Sequence, residues 1–268
     1  MSIDHRPDYS TTDAPASPTP VLKPITRQTL RDALHKGIED FRAAPAFGLF
    51  FGGAYFVGGL VLWFISRQVD NAGLLVPLAF IFPLFGPFAA IGLYEVSRRL
   101  ESGEDLKWSS ILGAIARQKG GQLPFMGVVI LFMALVWIVI SRITFAIFMG
   151  TAPKMTNIFS TMDVLYTPEG ILMLLVNLAV GFSVAFLIFS VTVIAMPMLL
   201  DREMDFVTAM ITSVQCVTEN LEAMLTWAAI VVAALIVAML PAFLGLIIVL
   251  PVLGHTTWHL YRAAVEKV

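Results

Sequence analysis

The chain has 268 residues, of which 58% are hydrophobic and 13% charged, and a net charge of −2. A soluble domain keeps roughly a quarter of its residues charged, so this deficit, with a mean hydropathy of +0.84, excludes an ordinary globular core and points to a chain dissolved in lipid. No basic stripe suggests nucleic acid, and the single cysteine, Cys216, excludes both an intramolecular disulfide and a centre built on several thiolates.

Residues 1–24 are rich in Pro, Ser, Thr and Asp and contain no apolar core of a secretory signal. Such a segment cannot bury enough surface to offset its ordering entropy, so it is expected to be a disordered cytoplasmic tail ahead of a membrane domain over 25–268. The first apolar run is Ala46 to Ile65, and the second, Gly73 to Tyr94, contains Pro77, Pro83 and Pro87. A third runs from about Phe125 to Phe148 and a fourth from Ile171 to about Leu199. Ala223 to Leu253 forms thirty-one residues without a charge, where about 20 suffice for one crossing. Pro241 lacks an N–H and clashes with the preceding turn, so this run is expected to turn near Leu240-Pro241-Ala242 and give two spans, the second from about Leu244 to Tyr261.

The expected fold is therefore an all-α membrane protein with six transmembrane helices arranged as three hairpins. Fourteen basic residues then fall on one side, from Arg6 to Arg42, Arg98 to Lys119, at Arg202, and at Arg262 and Lys267. The other side holds Arg67, Arg142 and Lys154. Basic residues near spans stay cytoplasmic, which places both termini on the cytoplasmic side of the bacterial inner membrane.

Each hairpin is preceded by a stretch of helical periodicity. Leu30, Leu34, Ile38 and Phe41 share one face opposite Arg31, His35, Glu39 and Arg42. Phe206, Met210, Val214, Val217 and Leu221 do the same before the fifth span, and Trp108, Ile111 and Ile115 make a shorter version before the third. Three cytoplasmic interfacial amphipathic helices, each leading into a hairpin, define pseudo-repeats of about 25–105, 106–204 and 205–268.

Candidate sites are few. No carboxylate stands in the middle of a span, which argues against a proton-driven transporter or pump. Glu95 at the end of the second span is expected to pair with Arg98 and Arg99. Arg142 lies about 25 Å along its helix from Phe125, and Asn177 about 9 Å from the same membrane surface. The two can meet in an intramembrane polar contact, or Arg142 can snorkel to the headgroups. His255 and His259 share a face at i, i+4. They read as an interfacial cap beside Trp258 and Tyr261, with a metal or haem ligand as the alternative, although a metal site needs three or four ligands. Pro83, Gly86 and Pro87 should kink or break the second span, which in some transporters builds a binding site. Gly52-Gly53 and Gly58-Gly59 suggest close packing of the first span against the second. Gly181-Phe182-Ser183 has only a faint likeness to a serine–histidine membrane protease, because Val184 stands where that motif has glycine.

The stretch from Leu250 to Arg262, LPVLGHTTWHLYR, together with Met196-Pro-Met-Leu-Leu-Asp-Arg202 and Asp40-Phe41-Arg42-Ala-Ala-Pro45, resembles a family of predicted integral membrane proteins catalogued as a domain of unknown function (DUF2189). The resemblance runs from about residue 25 onward, and the family is typical of alphaproteobacteria. It implies a polytopic inner-membrane protein and no established activity. Some members are labelled as linked to cytochrome oxidase subunits, but this chain lacks the histidines for two haems and copper. The residues thus point first to a non-enzymatic accessory, assembly or scaffold component of a membrane complex, with a membrane partner or homo-oligomer. A channel or transporter for a small or lipid-like solute is the alternative, and a haem- or metal-binding subunit a third.

Overall fold

A computed structural model describes residues 20–68, 89–150 and 167–266. Among these the structure is helical, with one isolated antiparallel bridge between Leu22 and Val265. Helix α1 (Arg27–Ala43) opens with a capping box in which Thr26 and Thr29 satisfy each other's backbone N–H groups. It ends at Ala44, and α2 (Pro45–Gln68) starts on Pro45, whose missing N–H is harmless at a first helical position. The two axes meet at 99°. Helix α3 is described over residues 89–102. There follow α4 (Trp108–Arg117), a 3₁₀ turn (Gln118–Gly120) and α5 (Leu123–Met149), then α6 (Pro168–Thr192) and α7 (Ala195–Asp201). The chain closes with α8 (Phe206–Glu219), α9 (Leu221–Met239) and α10 (Leu246–Ala264).

Three described stretches, Leu123–Phe148, Pro168–Asp201 and Leu221–Met239, are long and apolar enough to cross a membrane, and α1 and α2 pass the same test only when the bent pair is taken together. The turn expected at Pro241 is present. Ala242 and Phe243 adopt positive φ, and Gly245 N–H returns to Ala238 O at 3.1 Å. The second helix of that pair, α10, is less apolar than a free-standing span because its latter half carries His255, Thr256, Thr257, His259 and Arg262.

Helix α10 is the hub, against which α1, α2 and α9 pack. Small residues set the distances. A Cβ on Gly37 would fall 2.2 Å from Thr256 Oγ1, and one on Gly52 would fall 2.4 Å from Ile247 O. Most of the second span, against which the first-span glycines are expected to pack, lies outside the described residues; Gly52 faces α10, and no described atom comes within 4 Å of a Cβ on Gly53 or Gly59. Gly92 of α3 meets the ring of Phe51.

The interfacial stripes are also rotated from their expected positions. In α1 the buried face is Leu30, Ala33 and Gly37, flanked by half-buried Leu34, Ile38 and Phe41. In α8 it is Ala209, Thr212, Ser213, Cys216 and Val217, with Leu221 exposed. The face follows side-chain size because these helices lie tightly against neighbours. Ser213 shows why: its hydroxyl accepts from Ile194 N–H at 3.1 Å and donates to Ser190 O at 2.7 Å, at the break between α6 and α7. Pro197 cannot donate in the first turn of α7, and Ser213 bridges backbone groups beside it. Residues 21–23, placed in the solvated tail by composition, pair with the end of the chain through Lys23 N–H to Ala264 O and Glu266 N–H to Val21 O.

If Gly52 sets the α2–α10 distance, Gly52→Leu should destabilise the protein by about 1–3 kcal/mol. Gly53→Leu should stay within about 0.5 kcal/mol. Unfolding of the two variants in mixed micelles compares them directly.

Candidate functional site: the polar layer at the helix ends

The chemistry-bearing residues gather where α3, α7 and α10 end. In α3, helical spacing brings Arg98 and Arg99 back onto Glu95, which is only 2% exposed. Arg98 Nε and Nη2 donate to its two oxygens at 2.8 and 3.0 Å, and Arg99 Nε donates at 2.7 Å. Glu104 closes the cluster from the following loop, 2.8 Å from Arg98 and 3.2 Å from Arg99. The expected ion pair at Glu95 is present, as a buried carboxylate shared by two guanidinium groups.

A second cluster joins elements far apart in sequence. Glu101 of α3 accepts from Arg262 Nε at 3.2 and 3.1 Å, from its Nη2 at 3.1 Å, and from the Trp258 indole at 3.2 Å. Asp201, the last residue of α7, accepts from Arg262 Nη1 at 3.3 Å and from the Tyr261 hydroxyl at 2.7 Å. Arg202 donates from Nε to Tyr261 at 3.2 Å and from Nη2 to the Glu266 carbonyl. Desolvation favours the neutral form of Glu101, but Arg262 and Trp258 outweigh it and hold the carboxyl below the usual range.

Between these clusters lie two histidine pairs. Ser97 Oγ and His255 Nδ1 are 2.7 Å apart, and both residues are fully buried. His259 Nε2 meets Asp40 Oδ2 of α1 at 2.7 Å. The two imidazoles therefore address different partners rather than one common ligand position. His255 Nε2 is buried without a hydrogen-bond partner among the described residues. Ser97 and His255 have the spacing of a nucleophile and its base, but the carboxylate that would orient such a base sits on His259 instead. Among the described residues no three His, Cys, Asp or Glu side chains converge as a metal-ligand set.

The other candidates lie apart. Asn177 Nδ2 donates to Met173 O at 3.1 Å, within its own helix. Arg142 is exposed on α5, and no hydrogen bond joins it to Asn177. The Asn177 amide N–H is turned onto its own helix, as polar groups in spans commonly are, and exposed Arg142 is placed as the snorkelling alternative requires. Ser183 likewise donates to Ala179 O at 2.9 Å, away from any histidine. Pro83, Gly86 and Pro87 lie outside the described residues. Sequence reasoning missed Ser97, Glu101, Asp40 and Asp201. Periodicity could have found only one trace of them, since Ser97 and Glu101 stand one turn apart on one α3 face.

Residues 75–201 match the family described as Predicted integral membrane protein (DUF2189). The chain is an integral membrane protein with several apolar helices. No curated protein and no solved structure matches it. The DUF2189 stretch ends at Asp201, the residue that receives Tyr261 and Arg262. It supplies the carboxylates of the second cluster, Glu101 and Asp201, while α10 supplies the tyrosine, the tryptophan and the Arg262 guanidinium.

A carboxylate with a depressed folded-state pKa contributes stability above its unfolded value and loses it as pH falls through the folded one. The melting temperature should therefore fall on acidification below the normal carboxylate range. Glu101→Gln should melt roughly 2–4 °C lower at pH 7 and show a shallower acid limb. A thermal-shift series across pH measures both.

Proposed function

We propose that this chain is a non-enzymatic, six-span protein of the bacterial inner membrane, serving as an accessory, assembly or scaffold component of a membrane complex. Its spans form three hairpins, each led by an interfacial helix, α1, α4 or α8, with both termini on the cytoplasmic face. The basic residues of the helix ends support that orientation through the positive-inside rule.

One observation carries the scaffold reading. Most polar groups at the helix ends pair with one another, while α5 and α6 expose apolar faces. Only 6% of the most apolar part of Pro168–Asp201 is buried within the chain. Phe132, Ile147, Leu178 and Phe182 all lie outward on this hairpin. A catalyst or transporter collects polar groups around a substrate path, whereas this arrangement reserves them for internal bracing and leaves two helix faces free for a neighbouring span. The transporter alternative draws on the break at Pro83, Gly86 and Pro87, which lies outside the described residues, and on the repeat of interfacial helix and hairpin.

Purification of the tagged chain in mild detergent, followed by mass spectrometry, should recover a membrane protein in fixed ratio. Leu178→Ala combined with Phe182→Ala should reduce that recovery several-fold while leaving the melting temperature unchanged. Recovery of the chain alone, with solute flux through reconstituted vesicles, would replace the scaffold with a transporter.

A further inference from the structure

The angle between α1 and α9 holds a groove of about 430 Å³ lined by Arg27, Leu30, Arg31 and Leu34 on one side and Thr226, Trp227 and Ile230 on the other. The α1 residues recur at spacings of three and four and so form one stripe. Its floor is apolar, since Leu30 and Trp227 are buried there. Its rim is basic. Arg27 is matched by Glu222 at 2.6 Å, and the neighbouring Lys23 by Glu266 at 3.7 Å. Asp32, beside Arg31 in sequence, takes the amide of Gln28 at 2.8 Å. Arg31 is exposed and has no ion-pair or hydrogen-bond partner among the described residues. It is the uncompensated cation of the groove.

Depth agrees with chemistry. Trp227 stands six residues into α9, about 9 Å along the helix, at the level where tryptophan sits between headgroups and chains. Beyond Trp227 along α9 the lining ends on half-buried Ile230, with half-buried Ala234 one turn further on the same helix face. We infer that this groove binds one anionic glycerophospholipid, its phosphate on Arg31 and an acyl chain against Leu34, Trp227 and Ile230. The inference rests on α9 crossing the membrane, not on the scaffold reading.

The test uses the full chain purified in neutral detergent and titrated with phosphatidylglycerol or phosphatidylcholine of the same chain length, with bound lipid counted by native mass spectrometry. One phosphatidylglycerol should bind about fivefold more tightly than phosphatidylcholine, the preference expected of one interfacial cation. Arg31→Gln should abolish the preference. Lys36→Gln, which removes the same charge from the far side of α1, should keep it. Equal losses in the two variants would mean unspecific surface attraction and overturn the site, as would a preference that survives Arg31→Gln. Competition by glycerol 3-phosphate, which has no chains, would remove the groove from the recognition and overturn it as well.

Discussion

Arg262 stands between Glu101 and Asp201, and through them one guanidinium ties the ends of α3, α7 and α10 together. Its side chain is 17% exposed and those of its partners 37% and 20%, so the three charges are partly withdrawn from water, where attraction is stronger than at an open surface. Withdrawal also makes the pieces interdependent. Two carboxylates held close without the cation would repel each other and face a desolvation cost. The Trp258 indole adds a hydrogen bond to Glu101 and the Tyr261 hydroxyl one to Asp201. The three helix ends are therefore held together at one junction.

That junction explains how α10 tolerates its polar half. In lipid, unpaired polar groups are costly and helices gain nothing from hydrophobic association, so close backbone approach and internal hydrogen bonds take over. Gly37 lets α1 lie against Thr256, and Gly254 receives Leu93. Once these helices surround α10, Ser97 can meet His255 and Asp40 can meet His259 away from lipid. The apolar faces left over include those of α2, α5, α6 and α9, where Phe50, Phe182 and Val237 point outward.

Much of this was legible in the sequence wherever the physics is local. The runs that became α5, α6 and α9 could be read from length and apolarity alone, and Pro241 marked the turn between α9 and α10. The pairing of Glu95 with Arg98 and Arg99 followed from helical spacing. The buried faces of α1 and α8 were harder to read, because tight packing selects small side chains such as Ala33, Gly37 and Ser213 over the large apolar ones that periodicity highlights. Illegible altogether were the contacts across the chain. Asp40 and His259 are 219 residues apart and Glu101 and Arg262 are 161 apart, and no local pattern encodes which turns of which helices will meet. The histidines looked like one site by spacing, and tertiary packing gave each its own partner.

The six-span topology proposed above requires α3, α7 and α10 to end on the same side of the membrane, and the turn between α9 and α10 to lie on the other. Single cysteines at Ser102, Glu203, Glu266 and Leu240, all exposed, can be labelled in intact cells and in inverted vesicles with a membrane-impermeant maleimide. Native Cys216 is buried, which pushes its thiol up to about 12, so it should contribute little background. Positions 102, 203 and 266 should react only in inverted vesicles and position 240 only in intact cells. Labelling of 102 and 266 from opposite sides, or of 240 and 266 from the same side, would contradict the shared junction.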